Sequence, residues 1–115
     1  MGMNTLRSIV YPVRDLVAAK AVHTALLGIE PHTDQPFYVG FNVGGVEIGL
    51  NPHGHEKGPT VPVSYVSVAD LEAALAKVQE AGAVLAGEPQ DVGGGTRIAT
   101  VTDADGNTLG LIQGG

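Results

Sequence analysis

Apolar residues recur along the chain with two different periods. Leu71, Ala74, Leu75 and Val78 follow the i, i+3, i+4, i+7 spacing that lays one stripe along a helix. Asp70 stands just ahead of the stripe, where a short carboxylate accepts the unpaired amide hydrogens of a first turn. Gly82 stands just after it and can take the left-handed turn that ends a helix. A second helix is predicted over about Leu16 to Leu27, capped by Asp15 and closed by Gly28, with Leu16, Ala19, Val22 and Leu26 as its inward face. Other segments are rich in β-branched and aromatic residues and broken by turn residues, which predicts strands. Pro36 to Val43 and Val46 to Leu50 flank Gly44-Gly45, and Thr96 to Thr102 and Thr108 to Ile112 flank the turn Asp103-Ala104-Asp105-Gly106-Asn107, so each pair reads as a hairpin.

The two halves repeat one another. Ile9 to Ala19 aligns without a gap on Ser64 to Ala74, which superposes Val13 on Val68 and Asp15-Leu16 on Asp70-Leu71. Each half therefore runs from a β-rich segment through an Asp-Leu step into a helix, a glycine and more strands. A repeat of this kind fixes architecture before any local detail does. Pro52 to Pro62, rich in Pro, Gly, His and charge, reads as the connection between the halves.

A length of 115 residues suits one domain with a modest core and leaves no room for a second. With 43% hydrophobic and 16% charged residues the composition is that of a globular chain. No apolar run approaches membrane-spanning length and no secretory leader is visible, so a cytoplasmic location is expected. Gly2 does not open a lipidation motif, because Leu6 stands where Ser or Thr is required. Cysteine is absent, which excludes disulfides, thiolate nucleophiles and zinc–thiolate sites. The formal net charge of −6 and the scatter of Arg7, Arg14, Lys20, Lys57, Lys77 and Arg97 argue against nucleic acid and anionic membranes as partners.

The closing run from Asp103 to Gln113, taken with the duplicated strand, Asp-Leu, helix and glycine pattern, resembles the vicinal oxygen chelate superfamily, the glyoxalase/bleomycin resistance/dioxygenase group. The resemblance covers nearly all of residues 5–113. It implies an α+β fold of two βαβββ modules forming a curved sheet, or half-barrel, around a ligand cleft. A single domain is expected over residues 3–115, with module one at about 5–51, a linker at 52–61 and module two at about 62–113. The group's habit of completing the cleft with a second subunit implies a homodimer. Enzymes of this group place metal ligands on the first and last strands of each module, and those positions fall here on Ser8, Gly49, Val63 and Gly110. Glycine and valine bring no donor and serine a poor one for divalent ions. The scaffold is thus expected without the metal chemistry and without a cofactor.

Strand alternation extends the cleft wall by two residues from each of these positions, to Val10, Glu47, Asn51, Tyr65 and Ile112. Arg97 joins the candidates, since on an alternating strand it points either into the cleft, toward a ligand carboxylate or phenolate, or into water. The candidate ligand-binding set is therefore Ser8, Val10, Glu47, Asn51, Val63, Tyr65, Arg97, Gly110 and Ile112. A wall this apolar suits a small hydrophobic or aromatic molecule. His53-Gly54-His55 offers two imidazoles but reads as solvated linker, His23 as a helix side chain packed or at the surface, His32 as part of a turn, and Gly93-Gly94-Gly95 as a flexible connection lacking the lysine of a phosphate loop. Asp15 and Asp70 are already explained as caps. The leading expectation is a metal-free small-molecule-binding protein of the sequestering or drug-resistance type. The alternative is a lyase, isomerase or dioxygenase-like enzyme with a metal site shifted to Glu47 and a histidine, or with Glu47 as a metal-independent base whose burial would have to raise its pKa.

Overall fold

Among the described residues ten elements follow one another as β1 (Thr5–Pro12), α1 (Leu16–Leu27), β2 (Thr33–Gln35), β3 (Tyr38–Val43), β4 (Val46–Asn51), β5 (Val63–Ser67), α2 (Leu71–Glu80), β6 (Val84–Gly93), β7 (Thr96–Thr102) and β8 (Thr108–Gln113). The computed structural model describes residues 4–53 and 60–114, so His55 and most of the expected linker lie outside the described residues. Each half is a βαβββ module, and the fold is α+β. The strand order is β2-β3-β4-β1 in the first module and β5-β8-β7-β6 in the second. In both, the last three strands form an antiparallel meander, and the first strand pairs in parallel with the last, a connection that needs the intervening helix as crossover.

The chain divides into two compact units, Ser8–Val63 and the segment through Arg7 together with everything from Ser64. The start of β1 therefore belongs with the second module. Arg7 makes this attachment, donating through Nη1 to the Gly114 carbonyl at 2.9 Å with Ser67 Oγ at 3.4 Å. No helix among the described residues is long and apolar enough to cross a membrane.

The capping logic of the sequence holds in both helices. Asp15 accepts from the Ala18 amide at 3.0 Å and Asp70 from the Ala73 amide at 3.1 Å. Gly28 ends α1 in the left-handed region at φ 70°, while Gly82 takes φ 118° one residue beyond the last turn of α2. Gln113 of β8 adds a cap, its Oε1 accepting from the Leu71 amide at 2.6 Å.

α2 buries the stripe its spacing predicts. Leu71 and Leu75 are buried with Val68, Ala99, Val101 and Leu111, and Ala74, Val78, Ala83 and Leu85 pack around them. α1 differs from expectation. Leu16, Ala19 and Leu27 pack on Val39, Phe41 and Leu50, joined by Tyr11, Val13 and Ile48, whereas Val22 and Leu26 are 62% and 76% exposed. The inward line is Leu16, Ala19, His23 and Leu27, itself spaced at close to 3.6 residues, and its polar third member masks it in the sequence. The His23 ring lies 5.2 Å from Tyr11 and 6.3 Å from Phe41, and its Nδ1 donates to the Ala19 carbonyl at 3.0 Å. One further expectation changes: the stretch after His32 is a strand rather than a turn, because Thr33 to Gln35 pair with Gly40 to Tyr38; Gly93-Gly94-Gly95 is a connection, the hairpin link between β6 and β7, all three at positive φ.

Leu71 has no solvent exposure, so Leu71→Ala should lower the unfolding free energy by about 2–5 kcal/mol, measured by denaturant titration. A second expectation concerns pH. Asp103 accepts through Oδ1 from the amides of Asp105 at 3.0 Å and Asn107 at 2.9 Å, and through Oδ2 from Asn107 Nδ2 at 3.0 Å. The Asn107 side-chain bond, then the backbone donors, hold its carboxyl below the usual aspartate range. A depressed carboxyl stabilises the fold above its unfolded pKa, about 3.9, and loses that contribution as pH falls through the folded value. Asp103→Asn should therefore be less stable than the parent at neutral pH, with the difference closing in strong acid. An equal difference at every pH would contradict this.

Candidate functional site

The Gly44-Gly45 turn, both residues at positive φ, is a two-residue hairpin link that fixes the register of β3 on β4. Val43 then faces Val46, Asn42 faces Glu47, Phe41 faces Ile48 and Gly40 faces Gly49. Val39, Phe41, Ile48 and Leu50 point toward α1. By alternation Tyr38, Gly40, Asn42, Glu47 and Gly49 share the opposite face, joined through the parallel pairing of β1 by Ser8 opposite Glu47 and Val10 opposite Gly49.

On this face Glu47 is the centre of a hydrogen-bonded cluster. Its Oε2 accepts from the Tyr38 hydroxyl and its Oε1 lies 2.8 Å from His32 Nε2. The other ring nitrogen, Nδ1, lies 2.8 Å from the Thr33 hydroxyl. Glu47 and His32 remain partly accessible, their side chains 32% and 45% exposed. His32 is held in place by its own backbone, whose amide donates to the Gly40 carbonyl at 2.9 Å. Burial above all, then the hydrogen bond to Glu47 and its charge, push the Tyr38 phenol far above the ordinary tyrosine range, so it stays protonated and donating.

The absence of side chains at Gly40 and Gly49 makes this cluster possible. A Cβ at Gly40 would stand 2.9 Å from the Tyr38 ring, 3.1 Å from Glu47 Oε2 and 3.2 Å from His32 Nε2, and a Cβ at Gly49 would collide with the Tyr38 hydroxyl. The tyrosine ring thus lies across the glycine pair.

The second module solves the same problem with a different strand. Tyr65 of β5 sits opposite Gly110 of β8, and a Cβ at Gly110 would collide with the Tyr65 ring. Burial raises the Tyr65 phenol as well. Ile112 and Ile98 share this face with Gly110 and Thr100, the side away from α2. Val63 opens β5 and is buried.

Alternation leaves two directions open for Arg97, and the structure decides between them. Arg97 lies on the other face of β7, in phase with the buried Ala99 and Val101, and turns to α2, where it forms a two-pronged ion pair with Glu72 at 3.0 and 2.6 Å. Their hydrogen bonds and charges hold the Glu72 carboxyl low and the Arg97 guanidinium high. A ligand-facing role for Arg97 is therefore withdrawn. Asn51 uses its side-chain oxygen locally, accepting from the His53 amide at 2.8 Å. His32, Thr33 and Tyr38 were absent from the sequence-based set.

At the positions where metal ligands were to be sought, Ser8, Gly49, Val63 and Gly110, the donor set does not fit a divalent ion. Both glycines are covered by neutral phenols. Among the described residues no three His, Asp or Glu side chains converge, and the Glu47–His32 pair supplies two groups where three or four are needed.

The Tyr38 phenol should show itself in a spectrophotometric titration of the three tyrosines. Tyr38 ionises last, and Glu47→Gln brings its midpoint down without restoring the ordinary value, because burial, the larger cause, remains. Three coincident titrations near about 10 would contradict the arrangement.

Residues 5–111 match the family model of the Glyoxalase/Bleomycin resistance protein/Dioxygenase superfamily. Among solved structures, a hypothetical protein from Bacillus halodurans superposes with a TM-score of 0.78 at 17% identity, covering 99% of this chain and 96% of its own. A glyoxalase/bleomycin resistance protein/dioxygenase superfamily member from Vibrio splendidus gives 0.72 at 21%, covering 96% and 100%. Methylmalonyl-CoA epimerase from Mycobacterium tuberculosis gives 0.65 at 18%, covering 96% and 88%. At these identities the likeness is one of fold. No curated protein sequence matches the chain.

Proposed function

For a chain that belongs to the Glyoxalase/Bleomycin resistance protein/Dioxygenase superfamily, we propose metal-free binding of a small molecule, in a cytoplasmic homodimer, on the sheet faces turned away from the helices. The observation that carries this reading is the pair of glycines at expected ligand positions, Gly49 and Gly110, each covered by a tyrosine ring instead of bearing a donor. Aromatic faces at Tyr38 and Tyr65 with aliphatic neighbours at Val10 and Ile112 favour an apolar or aromatic body by area and by ring stacking. Glu47 gives the face of the first module its polar anchor. A carboxylate already oriented by Tyr38 and His32 takes a ligand N–H or O–H without further ordering of its own side chain.

The His32–Glu47 contact supports a second reading, in which Glu47 abstracts a proton from a bound carbon acid and His32 stabilises or relays the charge. This needs no metal and uses the same face. The two readings separate by product, since sequestration leaves its ligand unchanged.

Calorimetric titration with a panel of aromatic and antibiotic-like compounds tests the proposal. Binding should survive exhaustive chelation, and Glu47→Gln should weaken it by about 10-fold or more, the loss expected for a charge-assisted hydrogen bond. Absence of binding across the panel, or binding abolished by chelator and restored by a divalent ion, would overturn it. Deuterium incorporated from heavy water into a ligand, and lost in Glu47→Gln, would put the proton-abstraction reading first.

A further inference from the structure

Beneath α2, on the helix side of the second sheet, lies a cavity of about 440 Å³. Val66 of β5, Val78 of α2 and Val101 of β7 line it together with Leu109 of β8, and Asp70 and Lys77 stand at its border. The first module shows why the space is there. The repeat that superposes Asp15 on Asp70 sets Tyr11 on Val66 and His23 on Val78. The sheet registers set Phe41 on Val101. Val10 pairs with Gly49 as Tyr65 pairs with Gly110, and one step along from the Gly40–Gly49 and Thr100–Gly110 pairs Phe41 faces Ile48 and Val101 faces Leu109. Tyr11, His23 and Phe41 are the rings that pack together beneath α1, with successive centroids 5.2 and 6.3 Å apart. Three valines thus stand where the other half carries three rings, and the volume the rings would fill is open.

We infer that this cavity is a second binding site and that it takes a small aromatic carboxylate. It lies on the helix side of its sheet, so it stands apart from the ligand face proposed above. Its volume falls within the range of small-molecule sites, about 300–1,000 Å³, and its walls are apolar. Apolar cavities stay dry and accept aromatic rings of matching size. The first module shows that rings are what this helix-on-sheet geometry accommodates. The charges at the border choose the head group. Lys77 is exposed, and its ammonium has no hydrogen bond or ion pair among the described residues. The Asp70 carboxylate is turned to the Ala73 amide at 3.1 Å. Lys77 lies two turns along α2 from Asp70, roughly 10 Å. A ligand carboxylate is drawn to the Lys77 end and repelled from the Asp70 end, which orients the molecule with its ring toward Val66, Val78 and Val101.

Titration of naphthoate into the intact, isotope-labelled chain, followed by amide chemical shifts, tests this. The shifts should cluster at Val66, Ala74, Val78 and Leu109. Lys77→Gln should weaken naphthoate roughly two- to five-fold, the worth of an exposed ion pair, and naphthamide, its neutral counterpart, should not show that loss. Val66→Tyr and Val78→Phe each return a ring to the space and should abolish binding in a chain that circular dichroism shows to be folded. Absence of binding at millimolar naphthoate, or parent-like binding in either folded ring variant, would overturn the site. Equal loss of acid and amide in Lys77→Gln would overturn the carboxylate. Shifts at Tyr38 and Glu47 in place of those around α2 would put naphthoate on the ligand face, overturning the second site while leaving the first standing. Shifts at the same α2 residues that grow with protein concentration and need no naphthoate would give the cavity to a second copy of the chain and overturn the proposal.

Discussion

Each module is a four-stranded sheet covered by one helix on one side, and this one-sidedness governs what the rest of the chain can do. A strand alternates its side chains with period two, so committing Val39, Phe41 and Leu50, or Ala99, Val101 and Leu111, to the helix commits their neighbours to the opposite face. Burial of the helix side supplies the folding free energy, and the other face is left for chemistry. The registers connect the two faces. A slip of one residue in β4 would turn Glu47 into the core and Ile48 out of it, a change the Gly44-Gly45 turn and the core together prevent.

Much of the fold was legible because its signals are local and mutually consistent. The Asp-Leu steps, the glycines that close the helices and the two hairpin turns are each short-range devices, and their repetition in two halves made each more informative. Where reading failed, a residue's partner lay elsewhere in the chain. His23 interrupts the apolar line of α1 because its imidazole packs between Tyr11 and Phe41, contacts that helical spacing does not reveal. β2 is three residues long and exists through its pairing with β3, so turn-like composition at Pro31 to Asp34 outweighed it. Of the stripe expected for α1, Leu16 and Ala19 face the sheet while Val22 and Leu26 belong to an apolar face on the outside of the helix.

The site was legible in its glycines and not in its polar contacts. Family resemblance singled out Gly49 and Gly110 as positions lacking a donor, and alternation placed Glu47 and Gly49 together. Extending the hairpin register by one further step would have set Gly40 opposite Gly49, a gap in which a ring from Tyr38 fits. His32 was beyond reach, because its approach to Glu47 depends on β2. Arg97 could point either way in the sequence, and the ion pair across to Glu72 of α2 decides it.

Register correspondence between the modules shows how far they have diverged on one scaffold. Gly49 answers to Gly110, since Val10 pairs with the first as Tyr65 pairs with the second. By the same registers Gly40 answers to Thr100, Tyr38 to Ile98 and Glu47 to Thr108. The first module covers its glycine from β3 and keeps a carboxylate beside it, while the second covers its glycine from β5 and has a hydroxyl where the carboxylate stood. A buried tyrosine without an anionic partner is a wall, and a tyrosine donating to a carboxylate is part of a recognition group. The hydrogen-bonded carboxylate therefore lies in the first module, the same module whose helix turns an uncharged face outward.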